Sequence, residues 1–243
     1  MNEKAFQKST QGALDADLAS GPITKGERMT AQGAVNKSFI LFGIMLVTAV
    51  VSFANPHPLF MWGGAIGGLI VVLIAAFKQH LSPTLAPLYA ALEGLFVGAL
   101  TAIYAAAFAG IVFQAVTLTF ALLFLMLFFY KAGIIKVTEK LRSGVMMATG
   151  AVLLVYVVNM VMGFFGVNLP YLHQGGMIGI GISLVIIGIA SMNLLLDFDN
   201  FEKGEQYGAP AYMEWFSAMG LLITLVWLYV EILRLLSMLS GRD

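Results

Sequence analysis

Three acids lie within or at the edge of long apolar runs: Glu93, Asp197 and Glu231. An ionisable side chain at membrane depth costs at least ~2.5 kcal/mol on insertion scales, so each of these needs a partner or a function. Carboxylates can hold a proton, pair with a cation, or offer hard oxygen to Ca²⁺. Glu93 sits in Leu92-Glu93-Gly94-Leu95-Phe96-Val97-Gly98, with Tyr89 one turn earlier and Gly94/Gly98 forming a small-xxx-small face. It reads either as a carboxyl buried between helices or as part of an ion pathway. Asp197 follows Asn193 by four residues, which stacks polarity on one side of a helix. With Asp199 and Glu202 just beyond, Asp197 also reads as a helix-end carboxylate at the interface. Glu231 belongs to a face running through Ser217, Gly220, Thr224, Trp227, Glu231 and Arg234, at spacings of three and four. Arg234, at i+3, offers to neutralise it within its own helix.

The elements that carry these acids are apolar helices. Of 243 residues, 60% are hydrophobic and 11% charged, against roughly 25% charged in a soluble domain. Seven apolar stretches are legible at 38–54, 60–77, 85–105, 111–130, 144–166, 175–197 and 211–238. Each is near the ~20 residues a helix needs to cross a bilayer. They show no two-residue alternation, and backbone groups in lipid must bond within their own segment, so the runs are helices and not barrel strands. The expected fold is an all-α integral membrane protein with seven transmembrane helices. Residues 1–37 are polar and aperiodic and read as a mobile cytoplasmic tail, with 38–243 as the membrane domain. The seventh run is long, so its first turns are expected at the interface, with Gly220 permitting a bend.

Basic residues set the orientation. The tail holds Lys4, Lys8, Lys25, Arg28 and Lys37, while the second, fourth and sixth connections hold Lys78, then Lys131, Lys136, Lys140 and Arg142, then Lys203. The alternate connections hold no Lys or Arg. This places the N-terminus in the cytoplasm and, with seven spans, the C-terminus outside.

Other chemistry is poorly provided for. There are no cysteines, and His57, His80 and His173 all fall in connections. No HExxH spacing, phosphate-binding loop or late-helix Schiff-base lysine is present, and no nucleophile–base pair sits at membrane depth. Neither an enzyme nor a resident cofactor is expected. The zero net charge gives no reason to expect nucleic acid. The expected partners are the lipid bilayer and other membrane proteins.

The chain resembles the bacterial branch of the Bax inhibitor-1 (transmembrane Bax inhibitor motif) family. The resemblance rests on Met29-Thr30 with Gly33-Ala34-Val35-Asn36-Lys37, on Tyr89 to Gly98, and on Val137-Thr138-Glu139-Lys140. It continues through Asn193 to Asp199, Met213-Glu214-Trp215 and Leu225 to Leu236. It implies a bacterial inner (plasma) membrane protein in which the last helix is central and the other six surround it. It also implies a pH-sensitive, calcium-permeable leak, in which acids of helices six and seven share one proton. By motif these acids are Asp197 and Glu231, the latter standing where the family more often has Asp. Two carboxylates in a low-dielectric site cannot both ionise cheaply and titrate as a unit. The pair would hold Ca²⁺ only transiently, with Glu93, Asn193, Asp199 and Arg234 as supporting residues and Lys78 in the position of a basic latch. A second implied role is that of a non-conducting regulator binding a membrane protease or quality-control complex through the tail. Rise per residue sets a condition on the pair: Glu231 lies ~30 Å from Ala211 along the helix but ~15 Å from Gly220.

Overall fold

The computed structural model describes residues 28–164 and 176–241. Among the described residues seven α-helices follow in order: α1 Ala31–Ala54, α2 Pro58–Phe77, α3 Ser82–Ala107, α4 Ile111–Lys131, α5 Glu139–Phe164, α6 Met177–Gln206 and α7 Tyr212–Ser240. All are long and apolar enough to cross a membrane. Tail residues 1–27, the histidine at 173, the glycine at 175 and the expected helix ends at 166 and 175 lie outside the described residues.

Local chemistry fixes the helix starts. Thr30 caps α1 by accepting from the Gly33 N–H (2.9 Å). His57 caps α2 through Nδ1, which accepts from the Leu59 N–H (3.1 Å), and Pro58 opens the first turn. Gly110, at φ 75°, turns the chain into α4 in a conformation that suits glycine.

Several ends differ from the apolar runs. α1 begins at Ala31, so residues 31–37 are helix and not tail. α5 begins at Glu139, and α6 runs to Gln206, well past Asp197. The physical reason is the same each time: the polar residues beyond the apolar run have partners on neighbouring helices. α7 is one continuous helix through Gly220, with no break there.

α7 is the inner helix, packed on α1, α3, α4 and α6, and its buried residues lie all around its circumference. α2 packs on α3, and α5 on α6, so these two form an outer layer. Of the expected ring of six, four helices thus lie along α7, while α2 and α5 pack mainly on α3 and α6, α5 reaching α7 through Tyr156. α3 lies closely on α1 because a Cβ at Gly94 or Gly98 would run into the Met45 or Ala49 carbonyl of α1.

Candidate functional site

α6 and α7 are antiparallel, and two contacts fix their register. A Cβ on Gly220 would stand 3.7 Å from Asp197 Oδ1, and the Arg234 guanidinium donates to Ser183 Oγ at 3.1 Å. Polar groups therefore occur at three levels along α7.

The first level lies at the end where the basic connections are. Glu214, 6% exposed, accepts from the Thr30 N–H (2.8 Å) and the Thr30 hydroxyl (3.0 Å), and pairs with Lys37. Lys37 also lies over the Trp215 ring. Gly33 makes room for this carboxylate, since a Cβ there would occupy the same space. The preceding residues are tied to the α6–α7 link: the Met29 N–H donates to the Ala209 carbonyl (2.7 Å) and Arg28 bridges Pro210. The Met29 side chain, 2% exposed, fills the niche at Gly204. Sequence reasoning gave Glu214 no role. Thr30, Gly33, Lys37 and Glu214 all stood in recurring motifs, but a single sequence does not say that motifs so far apart meet.

On the outer face of α6 at this end, Asp199 pairs with Arg142 and with Lys203 (3.0 Å). Arg142 also donates to Asn200 (2.9 Å). Glu202 accepts from the Tyr130 hydroxyl (2.7 Å) and pairs with Lys131 (2.6 Å). This network holds α4 and α5 to α6. Asp199 is therefore a structural ion-pair residue, engaged by two cations and not held open for an ion path.

The second level is Asp197, ~9 Å deeper than Glu214 by the rise from Glu214 to Gly220. It faces α7 between Gly220 and Thr224, and its Oδ2 is buried without a hydrogen-bond partner among the described residues. The Thr224 hydroxyl donates back to the Gly220 carbonyl (3.2 Å) and is also the polar neighbour of the Asp197 carboxyl. Asn193, one turn away, faces α5: its side-chain amide donates to Thr149 Oγ1 (2.7 Å) and the Ile189 carbonyl (3.0 Å).

The third level is Glu231, 2% exposed. It pairs with Arg234 (2.6 Å) and accepts from the Tyr156 hydroxyl of α5 (2.8 Å). Arg234 also lies over the Tyr156 ring. In the α6–α7 register Glu231 is level with Ile186, ~16 Å along α6 from Asp197 at 1.5 Å per residue. The expected Asp197–Glu231 pair is therefore not formed, and the two cannot share a proton or a calcium ion in this arrangement. Asp197 is not at a helix end in water either: it is half-buried with its Oδ2 fully buried, and α6 continues beyond it to Gln206.

Glu93 is on the opposite side of α3 from this seam, its carboxylate against Gly68 of α2 with the Tyr89 hydroxyl as a polar neighbour. Lys78 is exposed at the C-cap of α2, and among the described residues no acid pairs with it, so no latch is formed. Where α7 meets α3 deeper in the bundle, the Thr101 and Tyr229 hydroxyls are 2.9 Å apart.

Among the described residues, seven apolar helices, the last of them an inner helix that carries buried acids, define an all-α multi-pass membrane protein. A family model described as Bax inhibitor 1 like matches residues 1–241, and the chain belongs to that family. No curated protein matches the chain.

Proposed function

We propose that the protein is a pH-sensitive, calcium-permeable leak channel whose titrating group is Asp197 acting alone, with Glu231 held as a neutralised structural acid. The observation that carries this is the buried, unpartnered Oδ2 of Asp197 at the α6–α7 seam. A carboxylate that ionises in a low-dielectric site with one oxygen left unpartnered costs several kcal/mol, even with Thr224 beside it. Ionisation therefore favours any packing that admits water or a cation to Oδ2. The seam at Gly220 is the place where α7 offers no side chain to resist such a change. Oxygen ligands, here the Asp197 carboxylate with the Gly220 carbonyl and Thr224 hydroxyl alongside, suit a hard cation such as Ca²⁺. The protonated acid keeps the seam packed; raising the pH opens it. In this reading the protein sits in a bacterial plasma membrane with its basic end in the cytoplasm, as the distribution of Lys and Arg supports.

The test is Ca²⁺ flux into proteoliposomes over a pH series. The wild type should leak more as pH rises, and Asp197→Asn, neutral at every pH, should show a flat profile. A wild-type protein that is folded yet passes no Ca²⁺ at any pH would rule the channel out. A second reading, the non-conducting regulator, is favoured by the Met29 anchor, which ties the tail to the α6–α7 link. For that role a partner would pull on residues 1–27, and deletion of those residues would abolish partner binding without affecting a flux that is absent anyway.

A further inference from the structure

We propose that the crevice between α4, α5 and α6 binds an anionic phospholipid, its acyl chain in the crevice and its phosphate on Lys140 and Lys136. The crevice holds ~660 Å³ and is walled by Leu122 and Met126 of α4, Val145 and Ala148 of α5, and Ile187 and Met192 of α6. It forms because α5 packs on α6 and leaves α4 to one side. Lys140 stands at its mouth, on the first turn of α5 at the basic end.

Charge complementarity selects the occupant. Of the cations at this end of α4, α5 and α6, Lys131 is paired with Glu202, Arg142 with Asp199, and Lys203 with Asp199 and Glu139. Lys136 and Lys140 are exposed and pair with no acid among the described residues. Glu139, the nearest acid in sequence, is turned to Lys203. An uncompensated ammonium at the mouth of an apolar slot, with a second four residues earlier in the chain, is complementary to a phosphate above a hydrocarbon chain. Basic pockets between helices on the cytoplasmic side bind lipid head groups in this way.

Two glycines leave the walls open. Gly144 and Gly188 both line the crevice, and a Cβ on either would meet no atom within 4 Å. Glycine inside a helix is unfavourable relative to alanine, and here no close helix approach within the chain accounts for it. Their effect is to widen the slot along its length. Lys140 to Ala148 covers ~12 Å of α5 at 1.5 Å per residue, and the α6 wall continues the slot deeper to Leu184.

Native mass spectrometry of the purified full chain, with phosphatidylglycerol and phosphatidylcholine of identical acyl chains, tests this. A lysine near the surface contributes a factor of ~5 to anionic-lipid affinity. Phosphatidylglycerol should therefore bind more tightly than phosphatidylcholine, and Lys136→Gln with Lys140→Gln should weaken it ~25-fold while leaving phosphatidylcholine unchanged. Gly144→Phe, whose Cβ meets no atom within 4 Å, should fill the slot and release both lipids with thermal stability retained. Equal binding of the two lipids, or phosphatidylglycerol unaffected by the lysine changes, overturns the proposal. So does retention of both lipids by folded Gly144→Phe. Displacement by inorganic phosphate alone would make this a phosphate site, and a dimer lost in Gly144→Phe would make a second copy the occupant; either also overturns it.

Discussion

Replacing Lys37 by Met removes the cation that pairs with the buried Glu214 carboxylate while keeping the aliphatic stem over Trp215. Breaking a fully buried pair by deleting one partner costs ~3–5 kcal/mol, because the other charge is left uncompensated. Two features reduce that figure. The Lys37 side chain is 24% exposed, and Glu214 keeps the Thr30 N–H and hydroxyl as donors. A loss of ~2–3 kcal/mol is the expected remainder. For a chain of this size each kcal/mol moves Tm by ~2–4 °C, so Lys37→Met should lower it by ~4–12 °C. Glu214→Gln should cost less, because the ammonium left behind reaches water. In the double variant both charges are gone, and much of the loss should be recovered. Thermal unfolding of the four proteins in one detergent reads all of this. A Tm within ~1 °C of wild type for Lys37→Met, or a double variant as unstable as the sum of the singles, would refute the clamp.

Three further outcomes are expected. Arg234→Met leaves Glu231 buried with Tyr156 as its remaining partner and should destabilise by ~3–5 kcal/mol, more than Glu231→Gln, by chemical unfolding. Met29→Cys with Gly204→Cys should form a disulfide under mild oxidation in this otherwise cysteine-free chain, because Met29 Sδ lies against Gly204; a free pair of thiols would show that Met29 is not docked on α6. A reporter at Lys136 should face the cytoplasm and one after Ser240 the opposite side, as the basic residues require; both on one side would overturn the helix count.

The number and order of helices were legible because length and apolarity alone define a span. Their ends were not, because an apolar run stops where polar residues begin, whereas a helix goes on wherever those residues find partners. Lys37 with Glu214, Arg142 with Asp199, and Glu202 with Tyr130 extend α1, α5 and α6 in this way. Contacts within one helix were legible from spacing, as Glu231 with Arg234 at i+3 shows. Contacts between helices depend on register, which a single sequence does not contain. The Asp197–Glu231 pair is the case in point: Asp197 lies level with Gly220, so the ~16 Å from Gly220 to Glu231 along α7 separates the two acids. The Glu214 clamp escaped for the same reason, its partners being at opposite ends of the chain.

That Asp197 senses pH independently of Glu231 is the central claim, and a double-mutant cycle on pH-dependent Ca²⁺ flux tests it most directly. Groups more than ~10 Å apart with no shared partner are additive to within ~0.5 kcal/mol. Glu231→Gln should leave the midpoint of the flux profile in place, Asp197→Asn should flatten it, and the double variant should match Asp197→Asn. If each single substitution flattens the profile and the second adds nothing, the two acids act as one coupled group, and independent sensing by Asp197 is contradicted.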